Sequence, residues 1–299
     1  MIAPVEREKK GVISAVVAFL LWGVLPLYWK SLQGLPPATI IGHRTLWSMV
    51  LLVIVLVWRG EFGGWVRAFR EPAVVGRHML SGVLLVCNWL LYVWATLNGH
   101  IVEGALGYYL NPFFNMLFGA LWFGERHTPR QKLAIAVAAA GVLPLFFASG
   151  TFPWIALSLA LTFSLYGVAR KGAPLNALPG QAMETALLTP FALAWLLSQP
   201  PGLVEELTQS WQRGVLLLAA GAATTVPLLC FSHAARTIRL STLGVLQFIG
   251  PTLQFLIGWK MYGEPLSALR LGSFGLIWTA VGLYAADALM RERAGRGCP

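Results

Sequence analysis

Charge is scarce in this chain. Only 11% of its 299 residues are Asp, Glu, Lys or Arg, whereas a soluble globular protein carries roughly 25%. Such a sequence cannot clothe a water-facing surface. Aspartate is scarcer still, with Asp287 the single example. Metal-dependent transfer chemistry needs clustered carboxylates to hold Mg²⁺, and one aspartate does not supply them. The three cysteines, Cys87, Cys230 and Cys298, make no disulfide framework. No Cys/His spacing suits a metal, so neither a metal nor a cofactor is expected. No GxxxxGKS/T phosphate loop is present. The connections between apolar segments are short, the longest running from Arg59 to His78 and the next from Gln199 to Arg213. That leaves no room for a soluble catalytic domain, and ATP hydrolysis within this chain is excluded.

What remains is apolar. Hydrophobic residues make up 57% of the chain and mean hydropathy is +0.67. The 31 Gly and 18 Pro suit transmembrane helices, where both are commoner than in soluble ones. The composition therefore predicts an all-α membrane protein with the lipid bilayer as its solvent. A span needs about 20 apolar residues, and ten segments qualify: 11–29, 38–58, 79–98, 104–123, 131–149, 152–169, 179–198, 214–234, 241–261 and 269–290. The first follows Lys9 and Lys10, but its apolar run is too long for a signal peptide and it reads as retained.

The net charge of +10 does not imply a nucleic-acid partner, because of where it sits. With the N-terminus inside, 17 of the 22 Lys and Arg fall at cytoplasmic positions, four fall outside, and Arg44 lies within a span. This is the positive-inside pattern, and it puts both termini of a multi-pass membrane protein in the cytoplasm.

A repeat organises the chain. LGYYLNPFFNMLFGALWFGE, from Leu106 to Glu125, is written again as LGVLQFIGPTLQFLIGWKMYGE, from Leu243 to Glu264. Pro112 matches Pro251, Gly119 matches Gly258, Gly124 matches Gly263 and Glu125 matches Glu264, all 139 residues apart. A fixed long offset marks duplication. Because each unit holds an odd number of spans, the second enters the membrane from the opposite side. The ten transmembrane helices thus divide into two inverted five-helix repeats, an architecture of membrane transporters. The expected boundaries are a cytoplasmic segment 1–10, repeats 11–149 and 152–290, and a cytoplasmic tail 291–299.

Ionisable groups inside a span are costly and carry a functional hypothesis by default. His43 and Arg44 lie in the second span, with Arg44 about 9 Å below its outer end at 1.5 Å per residue. Arg44 either snorkels to the outer headgroups, faces a central cavity as a cation that binds a carboxylate or another electron-rich group, or pairs structurally with a helix end or carboxylate. Glu184, five residues after Pro179, sits in the inner half of the seventh span. It can carry a proton, meet a cation, or be satisfied near the inner interface. Pro112 and Pro251 are expected to bend their helices, each beside amides such as Asn111 and Gln247. Asn88 and Gln247 can hydrogen-bond a substrate or a neighbouring helix, and Tyr108 and Tyr109 can stack on an aromatic one. Tryptophans such as Trp29 and Trp58 read as interface belts. Gly124 and Gly263 read as helix stops, with Thr128-Pro129 opening the next helix. The Ala134–Gly141 run suits close packing, within one chain or between two in a homodimer.

These residues resemble the drug/metabolite transporter superfamily, whose EamA-type members carry two five-helix repeats each ending in Gly-Glu. The likeness is closest to the RarD-type permeases. It rests on LWGVLPLYWK (21–30), HRTLWS (43–48), NWLLYVWATLNGHIVEGALGYYLNP (88–112), FGER (123–126), SLYGVARK (164–171) and the stretch 224–258. The resemblance implies a ten-helix inner-membrane permease with a central substrate path that exports drugs or metabolites, and the reading adopted is a secondary transporter working by alternating access. The competing readings are an intramembrane lipid-modifying enzyme, for which no motif is present, and a non-transporting scaffold.

Overall fold

The computed structural model describes residues 4–124, 128–148, 152–200, 203–238 and 246–296, and among these every regular element is helical. The long helices are α1 (Pro4–Lys30), α2 (Pro37–Trp58), α4 (Pro72–Leu97), α5 (Ile101–Phe123), α6 (Pro129–Ala148), α7 (Trp154–Lys171), α8 (Ala177–Ser198), α10 (Trp211–Thr237) and α12 (Ala268–Arg296). A further element, α11 (Ile249–Leu256), continues as a π-helical stretch, Ile257–Met261. Two short helices, α3 (Phe62–Ala68) and α9 (Leu203–Thr208), occupy the two longest connections. Among the described residues four stretches are long and apolar enough to cross a membrane: Lys9–Lys30, Pro37–Trp58, Pro72–Leu97 and Trp211–Phe231. Trp154–Arg170 is a shorter apolar helix.

Local chemistry sets the helix ends. Prolines open α2 and α4 at positions where the missing N–H has no intrahelical partner to lose. At the start of α6, the Gln131 N–H donates to Thr128 Oγ1 and the Thr128 N–H donates to Gln131 Oε1, each at 3.1 Å. This reciprocal pair is a capping box. Gly124 and Gly263 both adopt φ +62°, the left-handed stop that glycine tolerates. Because α4 starts at Pro72, His78 lies well inside a helix rather than in the connection where the apolar run alone places it. In the expected ninth span, residues 246 and 247 are helical, Phe248 is a turn, and α11 begins after it. Pro251 lacks the N–H that would continue the helix across Phe248. Pro112, by contrast, falls within an unbroken α5, and its side chain is outside the described set, as is Glu125.

The helices pack in a reciprocal pattern. α1 lies on α10 and α4 on α7; α2 lies on α10 and α4 on α8; α5 lies on α7 and α1 on α11; and α2–α8, α5–α11 and α6–α12 form three further pairs. Five apolar clusters lie in the interior among the described residues, and the two largest join most of the long helices. One joins α5, α6, α7, α11 and α12 around Tyr109, Phe255 and Phe274. The other joins α1, α2, α4, α7 and α10 around Trp29, Tyr92 and Leu159. Ala134, Ala138 and Gly141 of α6 are buried, and Gly141 sits against Ser273, Leu276 and Ile277 of α12. This part of the small-residue face packs within the chain.

Candidate functional site

Arg44 belongs to the buried stretch Thr39–Thr45 of α2. Its guanidinium carbon lies 3.5 Å from the Trp89 ring centroid on α4 and 5.7 Å from that of Trp29 on α1. Trp29 is fully buried, which corrects its reading as a belt residue; Trp58, at 85% exposed, has the outward position that a belt requires. Tyr92 and Tyr108 lie within electrostatic reach of Arg44. Among the described residues no carboxylate comes within ion-pair distance of Arg44, and its Nε has no hydrogen-bond partner. Removing a charged side chain from water costs several kcal/mol even after relaxation. A desolvated cation–π contact offsets about 2 kcal/mol, and the Trp29 contact is near the limit of its range. The guanidinium is therefore under-compensated by its own protein.

Asn88, one residue before Trp89, donates through Nδ2 to the Leu159 carbonyl at 2.9 Å and to Thr162 Oγ1 at 3.0 Å, both on α7. Tyr108 of α5 donates to Asn88 Oδ1 at 3.4 Å and packs its ring 5.4 Å from Tyr92. Arg44, Trp29, Trp89, Asn88, Tyr92 and Tyr108 thus form one aromatic and amide surround on α1, α2, α4 and α5, braced by α7.

Two buried ionic clusters flank it. Near the N-termini of α4 and α8, Glu184 accepts from Ser81 Oγ at 2.5 Å, from Arg170 at 3.2 Å and from Tyr166 at 3.4 Å. His78 Nδ1 lies 3.5 Å from the same carboxylate. His78, Ser81 and Glu184 are buried. His43 turns away from its neighbour Arg44, placing Nε2 2.9 Å from Glu206 of α9, with both side chains buried.

The remaining candidates lie elsewhere. Tyr109, adjacent to Tyr108, faces a different helix pair: its hydroxyl pairs with Thr252 Oγ1 and its ring stacks on Phe248, centroids 6.1 Å apart and 20° from parallel. Gln247 is half-buried just before Phe248. Sequence reasoning missed Arg170, His78, Ser81 and Glu206, and took Trp29 for a lipid-facing residue. It also missed the reach of the second Gly-Glu. Glu264 accepts from the Ile101 and Val102 N–H groups at 2.7 and 2.8 Å, closing the first turn of α5 from the other half of the chain. Burial pushes the Glu264 carboxyl above its ordinary range, against the pull of those donors, His100 and Lys30.

Large apolar side chains point outward (Ile54, Val57, Leu121, Phe191 and Leu197 are each more than half exposed) while His43, Arg44, His78, Asn88 and Glu184 are buried. A helical chain arranged this way is a multi-pass membrane protein. The EamA-like transporter family model matches residues 9–147. An uncharacterized transporter of Pseudomonas aeruginosa is 43% identical, over 94% of both chains. Protein RarD of Escherichia coli is 37% identical over 96% of this chain and 98% of its own. The chloramphenicol-sensitive protein RarD of Pseudomonas aeruginosa is 32% identical over the same shares. A solved crystal structure, 22% identical, aligns with a TM-score of 0.62 over 93% of this chain and 98% of its own, so the fold is shared. The chain belongs to the EamA-like transporter family, as a RarD-like permease.

Proposed function

We propose that this permease is a secondary transporter that exports small metabolites or amphiphilic drugs across the inner (plasma) membrane by alternating access. The observation that carries the reading is Arg44, a buried cation left short of compensation inside an aromatic and amide surround. A purely structural arginine at such cost would be paired. Arg44, Asn88 and Tyr108 form the substrate site in this proposal, with Trp29 and Trp89 as its walls. His43, Tyr109 and Gln247 lie around it rather than in it. Glu184, joined to His78 and Arg170, is the proton-coupling candidate.

The proposed architecture is ten transmembrane helices in two inverted repeats, 11–149 and 152–290, with both termini cytoplasmic. Helix neighbours support it. Exchanging α1, α2, α4, α5 and α6 for α7, α8, α10, α11 and α12 turns each packed pair given above into another of those pairs or into itself. Tyr109 and Phe248 are 139 residues apart and stack on each other, as two equivalent residues do when they meet on a two-fold axis. Gly82 and Gly221, also 139 apart, approach α8 and α2 respectively, which are exchange partners. Chloramphenicol sensitivity in the name of one relative favours aromatic amphiphiles as the first cargo to try.

The test is a flux screen of the purified chain in proteoliposomes, with metabolites and aromatic amphiphiles, with and without a pH gradient. Saturable flux of at least one compound, altered by the gradient, is expected. A full panel with no flux above empty liposomes would sink the proposal.

A further inference from the structure

We infer that the Arg44 site takes an aromatic organic carboxylate, and that it discriminates against the matching neutral amide and cationic amine. This rests on the transport reading above and names the substrate class of that site. The first ground is the missing counter-ion. Arg44 Nε is buried and unpartnered, and the buried acids that could have answered it are already held. Glu206 is on His43, Glu184 is on Arg170, Ser81 and His78, and Glu264 is on the first turn of α5. A carboxylate brought in by the substrate supplies what the described residues do not.

The second ground is orientation. Trp89 covers the guanidinium from a distance of 3.5 Å, so stacking occupies a face of that plane. The N–H donors of a guanidinium lie in its plane, as a fork that matches the two oxygens of a carboxylate. Stacking and bidentate pairing use different parts of the group and coexist. Nothing comparable welcomes an amine, which would meet an uncompensated positive charge in a medium that screens it poorly.

The third ground is the wall. Trp29 and Trp89 face the cation, Tyr108 reaches Asn88 next to Trp89, and the Tyr92 and Tyr108 rings pack 5.4 Å apart. Aromatic rings prefer offset or edge contacts with another ring, so the body attached to the carboxylate is flat and unsaturated. Arg44 is only 4% exposed, and the ligand therefore enters when helices around the site part.

The probes are 3-phenylpropionate, 3-phenylpropionamide, 2-phenylethylamine and butyrate, titrated calorimetrically into the full chain in lipid nanodiscs. The carboxylate is expected to bind at least about ten-fold more tightly than the amide, the value of one charge-assisted hydrogen bond or more, with no measurable amine binding. Arg44→Gln should erase the carboxylate–amide difference. Trp89→Leu keeps the charge and serves as the second variant: it should keep that difference but lose the preference for 3-phenylpropionate over butyrate. Equal binding of carboxylate and amide by the unaltered chain overturns the inference, as does no binding of either or a preference that survives Arg44→Gln. Flux of a neutral amphiphile in liposomes without carboxylate binding would remove the anion class and leave transport standing. Absence of all flux would remove the transport reading itself.

Discussion

Replacing Arg170 with Met should cost the protein about 3 kcal/mol of stability, but only about 1 kcal/mol when Glu184 is already replaced with Gln. The Glu184 side chain is 2% exposed and Arg170 17%, with Nη1 and Oε1 3.2 Å apart. Removing one partner of a buried ion pair costs roughly 3–5 kcal/mol, because the other charge stays buried and uncompensated. Here Ser81 still donates to Glu184 at 2.5 Å, which places the expectation at the low end. Glu184→Gln alone should cost less, about 1–2 kcal/mol, since Arg170 is the more exposed of the two and can turn toward water. The double variant should fall short of the summed single effects by about 2 kcal/mol, within the 0.5–3 kcal/mol seen for residues in direct contact. Reversible unfolding in mixed micelles with rising sodium dodecyl sulfate measures all four corners of the cycle. Additivity within about 0.5 kcal/mol would refute the coupling between Arg170 and Glu184 in the buried cluster.

Two further substitutions test the packing. Gly82→Ala should be neutral or stabilising by up to about 1 kcal/mol, because alanine gains helix propensity and its methyl would lie 3.5 Å from Glu184 Cβ. Gly221→Ala should destabilise by about 1–3 kcal/mol, since a methyl there overlaps the Trp47 backbone; equal responses in the same unfolding assay would contradict this placement of α10 on α2. Glu264→Ala should cost about 1–2 kcal/mol, as loss of a helix cap does, and should speed amide exchange at Ile101 and Val102. Glu264→Gln should recover part of both, and unchanged exchange in the alanine variant would remove the cap.

The parts of this fold legible in the sequence are those written locally. The matched Gly124 and Gly263 were readable as helix stops because left-handed geometry selects glycine, and both have φ +62°. Thr128-Pro129 was readable as a helix start because capping uses residues three apart. The site was legible only in outline. Arg44 stood out because a charge in an apolar run is conspicuous, yet Trp89 and Trp29 gave no sign that they would flank it. His43 joins Glu206 across 163 residues, and Ser81 joins Glu184 across 103; no periodicity links such positions. Arg170 was masked by the positive-inside count, in which a basic residue at a helix end needs no other reason, and His78 by the start of the apolar run, which leaves it in the connection before α4. Tyr108 and Tyr109 read alike as neighbours, but consecutive residues of a helix face directions about 100° apart, and so they serve different helix pairs.

The stack of Tyr109 on Phe248 has a bearing on how such a molecule moves. If the two halves trade shapes to open first one side and then the other, points on the line about which they are related stay where they are. These two rings then form a still centre, a fixed mark against which displacement of His43 from Glu206, or of Arg170 from Glu184, can be gauged. Under the proposed inverted repeat the still centre pairs a phenol with a plain benzene and is not symmetric, which lets the two open forms differ in energy.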